Sequence, residues 1–160
     1  MVGCGDRSEG VPAEARMVEE NVAKAHRWFD EVWNQKREES VWEILAPDCV
    51  LRGISEDGSD LHGPGAFVEF MRRQLASFPG MRMKLEDCFG AGDKIVARWS
   101  ATMAHDGESF GFPATGAELT LHGMSVSRFV NGKLAESWDI WDQAGLVRQL
   151  QSNHAKSAGA

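Results

Sequence analysis

The hydrophobic period of this chain changes once, near residue 80, and that change limits the fold more than any motif does. Before it, apolar residues recur at the spacing of one helical face, about 3.6 residues; after it they alternate with polar ones, as side chains do along a strand. In MVEENVAKAHRWFDEVWN the stripe is Val18, Val22, Ala25, Phe29 and Val32 or Trp33, widened by Trp28. Ser40 with Glu43 fits a capping box for a short helix, VWEIL, that stops near Pro47, and CVLRGI then reads as a strand. HGPGAFVEFMRRQLASFPG predicts a third helix, with Pro64 in its first turn and Pro79-Gly80 at its end. From Met81 onward MRMKLEDCF, DKIVARWSATMAH, AELTLHGMSVSRFV and GKLAESWDIW read as strands, and GLVRQLQ as a closing helical turn. Three helices followed by antiparallel strands specify an α+β fold, with a curved sheet wrapped over helices.

Charge and length narrow the function. A chain of 160 residues with 42% hydrophobic content suits one core, expected over residues 17–151, with 1–16 and 152–160 as flexible tails. Lys and Arg total 17 against 24 for Asp and Glu, a formal charge of −7, which argues against nucleic acid and anionic membrane surfaces as partners. No apolar run approaches the roughly 18 residues of a membrane span, and the N-terminal stretch has no hydrophobic signal core, so a soluble, cytoplasmic protein is expected. Cys4, Cys49 and Cys88 are odd in number and widely spaced, as reduced thiols are.

Local motifs add little. GAGD at 90–93 leads into a strand, so no helix N-terminus is offered to a phosphate. His26, His62, His105, His122 and His154 show no metal-ligand spacing, and no metal or cofactor is expected. No GxSxG elbow is present. Six tryptophans are most simply core, yet in so small a domain they also suit an aromatic-walled pocket.

The last strand poses the sharpest question. Alternation along NGKLAESWDIWDQAG puts Leu134, Glu136, Trp138, Ile140 and Asp142 on one face, and Ala135, Ser137, Asp139 and Trp141 on the other. Each face carries an acid beside a tryptophan. A carboxylate against an indole is costly unless it is solvated, paired or protonated.

Taken in order, HGPGAF at 62–67, GDKIVARWSATMAHDGE at 92–108, GFPATG at 111–116 and RFVNGKLAESWDIWDQAGLVRQL at 128–150 resemble the SnoaL-like polyketide cyclases and their ester cyclase relatives. The resemblance spans about residues 18–151. It implies a cone-shaped α+β barrel: a strongly curved, mainly antiparallel sheet covered by three N-terminal helices that leave a deep cavity. Ketosteroid isomerase and scytalone dehydratase share that architecture. In the characterised cyclases an aspartate on the final strand is the general acid/base of an intramolecular aldol closure, and the motif carries that role to Asp139. Ser137, Asp139 and Trp141 are then expected to face the cavity, and Glu136, Trp138 and Ile140 the convex side through which relatives form dimers. Met124, Val126, His122 and Arg128 should share that convex face.

The chain departs from the family pattern at three places. Glutamine and histidine partners of the aspartate correspond to Gly123 and Ser125, and an asparagine near the first strand corresponds to Arg52. No tyrosine is present to hold an oxyanion as in ketosteroid isomerase. The candidate pocket is therefore Arg52, His105, Ser125, Ser137, Trp141, Trp99 and Trp33 around Asp139, with Arg52, His105 and Ser125 as enolate donors. Arg52 could instead pair with Asp139 and lower its pKa. The leading reading is a cofactor-independent cyclase, lyase or isomerase acting on a small carbonyl substrate, as a homodimer or higher homo-oligomer. Rivals are a non-catalytic binding or dimerisation module and, with Asp139 and Arg52 activating water, an epoxide hydrolase.

Register decides whether this works. A strict two-residue turn at Asn131-Gly132 pairs Ser125 with Trp138 and separates Ser125 from Asp139. A three-residue loop with Gly132 in a left-handed bulge keeps them on one face, and the cavity requires that outcome.

Overall fold

A computed structural model describes residues 12–159. Among them the order is α1 (Ala13–Arg27), a π-helical segment (Trp28–Asn34), α2 (Glu38–Ile44), β1 (Leu45–Arg52), β2 (Leu61–His62), α3 (Gly63–Ser77), β3 (Arg82–Ala91), β4 (Lys94–Ala104), β5 (Glu118–Val130), β6 (Lys133–Trp141) and α4 (Gln143–Ala158). The strands form one curved sheet in the order β2-β1-β6-β5-β4-β3, antiparallel except where β1 runs parallel to β6. This is the α+β cone, with α1 packed on β3 and β4 and α3 on β1.

The first apolar stripe continues beyond α1 by changing its pitch. Where the sequence offers Val32 or Trp33 as the next inward residue, both are buried, because the backbone widens into a π-helical segment over Trp28–Asn34. The insertion lets Trp28, Phe29, Val32 and Trp33 all pack on the sheet side, and π-helical turns of this kind occur often at functional sites. Asn34 anchors its end: Nδ2 donates to the Met83 carbonyl at 2.9 Å and Oδ1 accepts from the Met83 amide at 2.8 Å.

Ser40 is not the cap expected of it. Helix α2 starts two residues earlier, at Glu38, and the Ser40 hydroxyl donates to Glu31 Oε2 at 2.7 Å. Arg27 bridges Glu31 at 2.8 Å and Glu43 at 2.6 Å, so these side chains tie the π-helical segment to α2. The Arg27 guanidinium and the Ser40 hydroxyl hold the Glu31 carboxyl down at about 2.

Both expected tails are drawn too long. Residues 13–16 are the first turn of α1, and residues 152–158 complete α4, a helix of 16 residues rather than one closing turn; residues 1–11 and 160 lie outside the described residues. Asp142 caps α4 by accepting from the Gly145 amide at 2.8 Å. Leu146 and Leu150 are buried, and Gln149 exchanges hydrogen bonds of 2.8 and 3.0 Å with the Thr120 backbone. The helix is thus held by its first half, while SNHAKSA follows with no apolar stripe of its own.

The hairpin satisfies the cavity's requirement by a different route. Val130 pairs with Lys133 across a two-residue turn in which Asn131 and Gly132 have φ of 50° and 74°, the left-handed pair of a type I′ turn. Ser125 nevertheless pairs with Asp139, because Ala135 is bulged out between the Arg128–Glu136 and Phe129–Leu134 pairs. One extra residue restores the face that the short turn would have lost. It also moves Leu134 inward, where it is buried. A similar shift between Leu85 and Asp87 on β3 absorbs the consecutive acids Glu86 and Asp87.

On the convex side, Phe89, Val96, Val126, Trp138 and Arg52 stand directly opposite one another across five strands. Met124 and Ile140 form an adjacent exposed pair, Ile140 at 78% of its full accessibility. Among the described residues no helix is long and apolar enough to cross a membrane.

Candidate functional site

Between the helices and the concave face lies a cavity of about 80 Å³, adjoined by a second of about 40 Å³, and Asp139 lines both. The wall of the larger one is apolar. Trp28, Phe29 and Trp33 come from the π-helical segment and Phe70 from α3, while Met83, Trp99, Met103 and Leu121 rise from the sheet. Leu146 of α4 closes one side, and Gln74 meets Glu56 at the rim, its Nε2 donating to Oε1 at 3.0 Å. Phe29, Trp28, Ile54, Ser125 and Asp139 separate the two lobes and belong to each. Lys24, Ser127 and Ser137 line the smaller lobe.

Among the described residues, Asp139 is held by hydroxyls alone. Ser125 Oγ donates to Oδ1 at 2.5 Å and Ser137 Oγ to Oδ2 at 2.6 Å. The residue is half-buried and lines both lobes. Burial pushes its carboxyl above the ordinary aspartate range, and the two serine hydrogen bonds only partly oppose that. An acid whose proton is retained to higher pH, in an aromatic-walled site, is suited to taking and returning a proton.

Ser125 is itself held from behind. Trp99 Nε1 donates to Ser125 Oγ at 3.1 Å, so the indole, the hydroxyl and the carboxylate form a line across β4, β5 and β6. Gly123 makes room for this ring: a Cβ there would stand 2.2 Å from Trp99 Cζ2. An indole thus occupies the space that a side chain at position 123 would take.

Of the residues expected around Asp139, Ser125, Trp99, Trp33 and Trp141 line the larger lobe and Ser137 the smaller. Trp141 also donates its Nε1 to the Gly53 carbonyl at 3.1 Å, fixing the loop that follows β1. Arg52 and His105 do not line either lobe. Arg52 pairs in register with Trp138, which puts it on the convex face. There its guanidinium lies 2.9 Å from Glu136, 3.6 Å from Asp60 and 5.6 Å from the centre of the Trp138 ring. It pairs with the other acid of β6, so neither the Arg52–Asp139 pair nor the epoxide hydrolase arrangement built on it is formed. His105 follows the end of β4, fully buried beside Phe78, with Nδ1 3.2 Å from Thr115 Oγ1. Its backbone holds the 105–117 loop through hydrogen bonds to Thr115, Gly116 and Ala117, which makes it a structural anchor.

Sequence reasoning had Trp28 and Phe29 as stripe residues and did not single out Phe70, Met83, Met103 or Leu121 for the pocket. Their signal, inward periodicity, is the same for a packed core and a cavity wall. Only the gap left between opposing faces distinguishes the two.

Comparison with known proteins agrees with this architecture. The model of the family "SnoaL-like polyketide cyclase" matches residues 23–150. Aklanonic acid methyl ester cyclase DauD of Streptomyces sp. (strain C5) is 26% identical over 121 residues, 75% of each chain. A SnoaL-like polyketide cyclase structure from Jannaschia sp. CCS1 superposes with a TM-score of 0.76, covering 93% of this chain and 99% of that one at 20% identity. AclR from Streptomyces galilaeus, described as a hydroxylase, superposes at 0.73 with 25% identity, covering 84% and 83%.

Proposed function

Because the chain belongs to the SnoaL-like polyketide cyclase family, we propose that it is a cofactor-independent cyclase for a small, largely apolar carbonyl compound, with Asp139 as general acid/base. The observation that carries this is the enclosure of Asp139: a carboxylate facing an aromatic cavity, anchored by Ser125 and Ser137, with no cation paired to it among the described residues. The Asp139 carboxylate takes a proton from the carbon between two carbonyl groups of the substrate. The resulting enolate carbon attacks a second carbonyl of the same molecule, forming the ring bond, and the new alkoxide takes the proton back from Asp139. Atoms are conserved, so the reaction is an isomerisation of an open chain to a ring.

With Arg52 on the opposite face, no guanidinium among the described residues lines either lobe, and the substrate must supply its own acidity. A 1,3-dicarbonyl compound does so by delocalising the charge over two oxygens. The apolar walls favour a largely apolar substrate.

We test this with a tethered 1,3-dicarbonyl aldol substrate. Asp139→Asn keeps the shape but cannot carry a proton, and turnover should fall by about 10²–10⁴ while the protein stays folded. Wild-type turnover in the Asn variant would move the non-catalytic binding module ahead.

We also propose a cytoplasmic homodimer formed through the convex face. The row Phe89, Val96, Val126 and Trp138, beside Met124 and Ile140, is a contiguous apolar surface edged by Arg52, Arg128 and Glu136. Sheet packed on sheet covers such a surface.

A further inference from the structure

We propose that Trp99 is a positioning residue for the acid/base: its indole N–H fixes the Ser125 hydroxyl as a donor to Asp139 Oδ1. The inference rests on the reading of Asp139 as a proton carrier, but its geometry stands independently. A serine hydroxyl has one hydrogen and two lone pairs, and left alone it rotates to suit whichever partner is near. At Ser125 the neighbours are not equivalent. Trp99 Nε1, at 3.1 Å, can only donate, so it occupies a lone pair and turns the hydroxyl hydrogen away from itself. The acceptor then available is Asp139 Oδ1, at 2.5 Å.

Ser137 provides the contrast. It donates to Oδ2 at 2.6 Å, and among the described residues no second side chain holds it. One oxygen of Asp139 is therefore met by a hydroxyl locked as donor, the other by a hydroxyl free to turn and accept when Asp139 is protonated. A donor whose oxygen already accepts a hydrogen bond is also polarised into a better donor. The consequence is a carboxylate stabilised from the Trp99 side, in a cavity whose burial acts against it.

The chain makes specific room for this contact. Trp99 is buried at 8% accessibility and lies over Gly123, where any larger residue would meet the ring. The other titratable side chains lining the two lobes are Glu56 at the rim of the larger and Lys24 of α1 in the smaller. Neither hydrogen-bonds Asp139, so the indole–hydroxyl line is its polar support from β4 and β5.

The experiment is a titration of the Asp139 carboxyl by carbon-13 NMR in the ligand-free protein, comparing wild type, Trp99→Phe, Ser125→Ala and Trp42→Phe. Ser125→Ala should raise the midpoint by about one pH unit, the loss expected for one hydrogen bond to a charged group. Trp99→Phe should raise it by a few tenths of a unit, the share that cooperativity gives the outer bond. Trp42, exposed at 57% on α2, should leave it unmoved. The sign separates positioning from packing. If Trp99 merely filled space, its truncation would admit water, hydrate the carboxylate and lower the midpoint. An unchanged or lowered midpoint in folded Trp99→Phe, with melting and near-ultraviolet circular dichroism as checks of fold, would overturn the proposal. The titration needs no turnover, so failure of Asp139→Asn to lose activity would strike the acid/base reading and leave this result separately readable.

Discussion

Asp139 and Glu136 stand on the same strand and face opposite ways, and their surroundings push them in opposite directions. Glu136 accepts from Arg52 at 2.9 Å and from Arg128 at 2.9 and 3.0 Å, and these guanidinium groups, Arg128 foremost, hold its carboxyl below the usual range. Asp139 accepts from two neutral hydroxyls, and burial pushes it up. Glu136 accepts three hydrogen bonds and Asp139 two, yet the opposite directions do not come from that count. They come from charge on the partner and from burial, and the alternation of the strand assigns one acid to each environment.

The largest contrast should appear in turnover. Asp139→Asn should cost about 10²–10⁴ in rate, whereas Glu136→Gln should leave the rate within about twofold, since a uniformly distant group contributes nothing at the transition state. Comparable losses in both variants, measured with the same dicarbonyl substrate, would erase the distinction between the faces.

A second contrast concerns assembly. Trp138→Glu places a charge in the middle of the convex apolar row, so sedimentation or light scattering should show a wild-type dimer and a monomeric variant. Trp99→Phe, on the concave side, should remain dimeric. A wild-type monomer at micromolar concentration would remove the interface.

Stability should respond with opposite signs. A carboxyl whose folded pKa is raised opposes folding at pH values above its unfolded pKa of about 3.9, where the unfolded chain is already ionised. Asp139→Asn should therefore raise the melting temperature near pH 7 by a few degrees, with the gain fading as pH falls through the raised folded pKa and gone by the unfolded one. Glu136 is the reverse case: its depressed pKa adds stability above the unfolded value of about 4.3, lost as pH falls through the folded one. Glu136→Gln should lower the melting temperature near pH 7 by only about 1–2 °C, and less in high salt, because exposed ion pairs are weak and screened. Calorimetry between pH 3 and pH 8 reads both slopes.

Much of this geometry was legible in the chain, and the reasons for what was not are local. The period change fixed the α+β order, and parity along SWDIW put Asp139 and Trp138 on different faces. Parity alone misplaced Leu134, because no residue signals that Ala135 will bulge. Arg52 was misplaced for a related reason. Its face depends on the parallel pairing of β1 with β6, a contact between segments 84 residues apart that no local pattern encodes. The Trp99–Ser125 contact was hidden as well, since Gly123 reads as a weak point in a strand until an indole is seen lying over it.

The central claim is that Asp139 is a carboxyl whose proton affinity is raised by enclosure, beside an acid on the same strand whose affinity is lowered by cations. Carbon-13 NMR titration of the labelled wild-type protein reads both groups in one experiment. The account predicts an Asp139 midpoint clearly above the ordinary aspartate value of about 3.9 and a Glu136 midpoint below the ordinary glutamate value of about 4.3. An Asp139 midpoint at or below 3.9 would contradict it, because such a group meets water or a cation that the cavity does not provide.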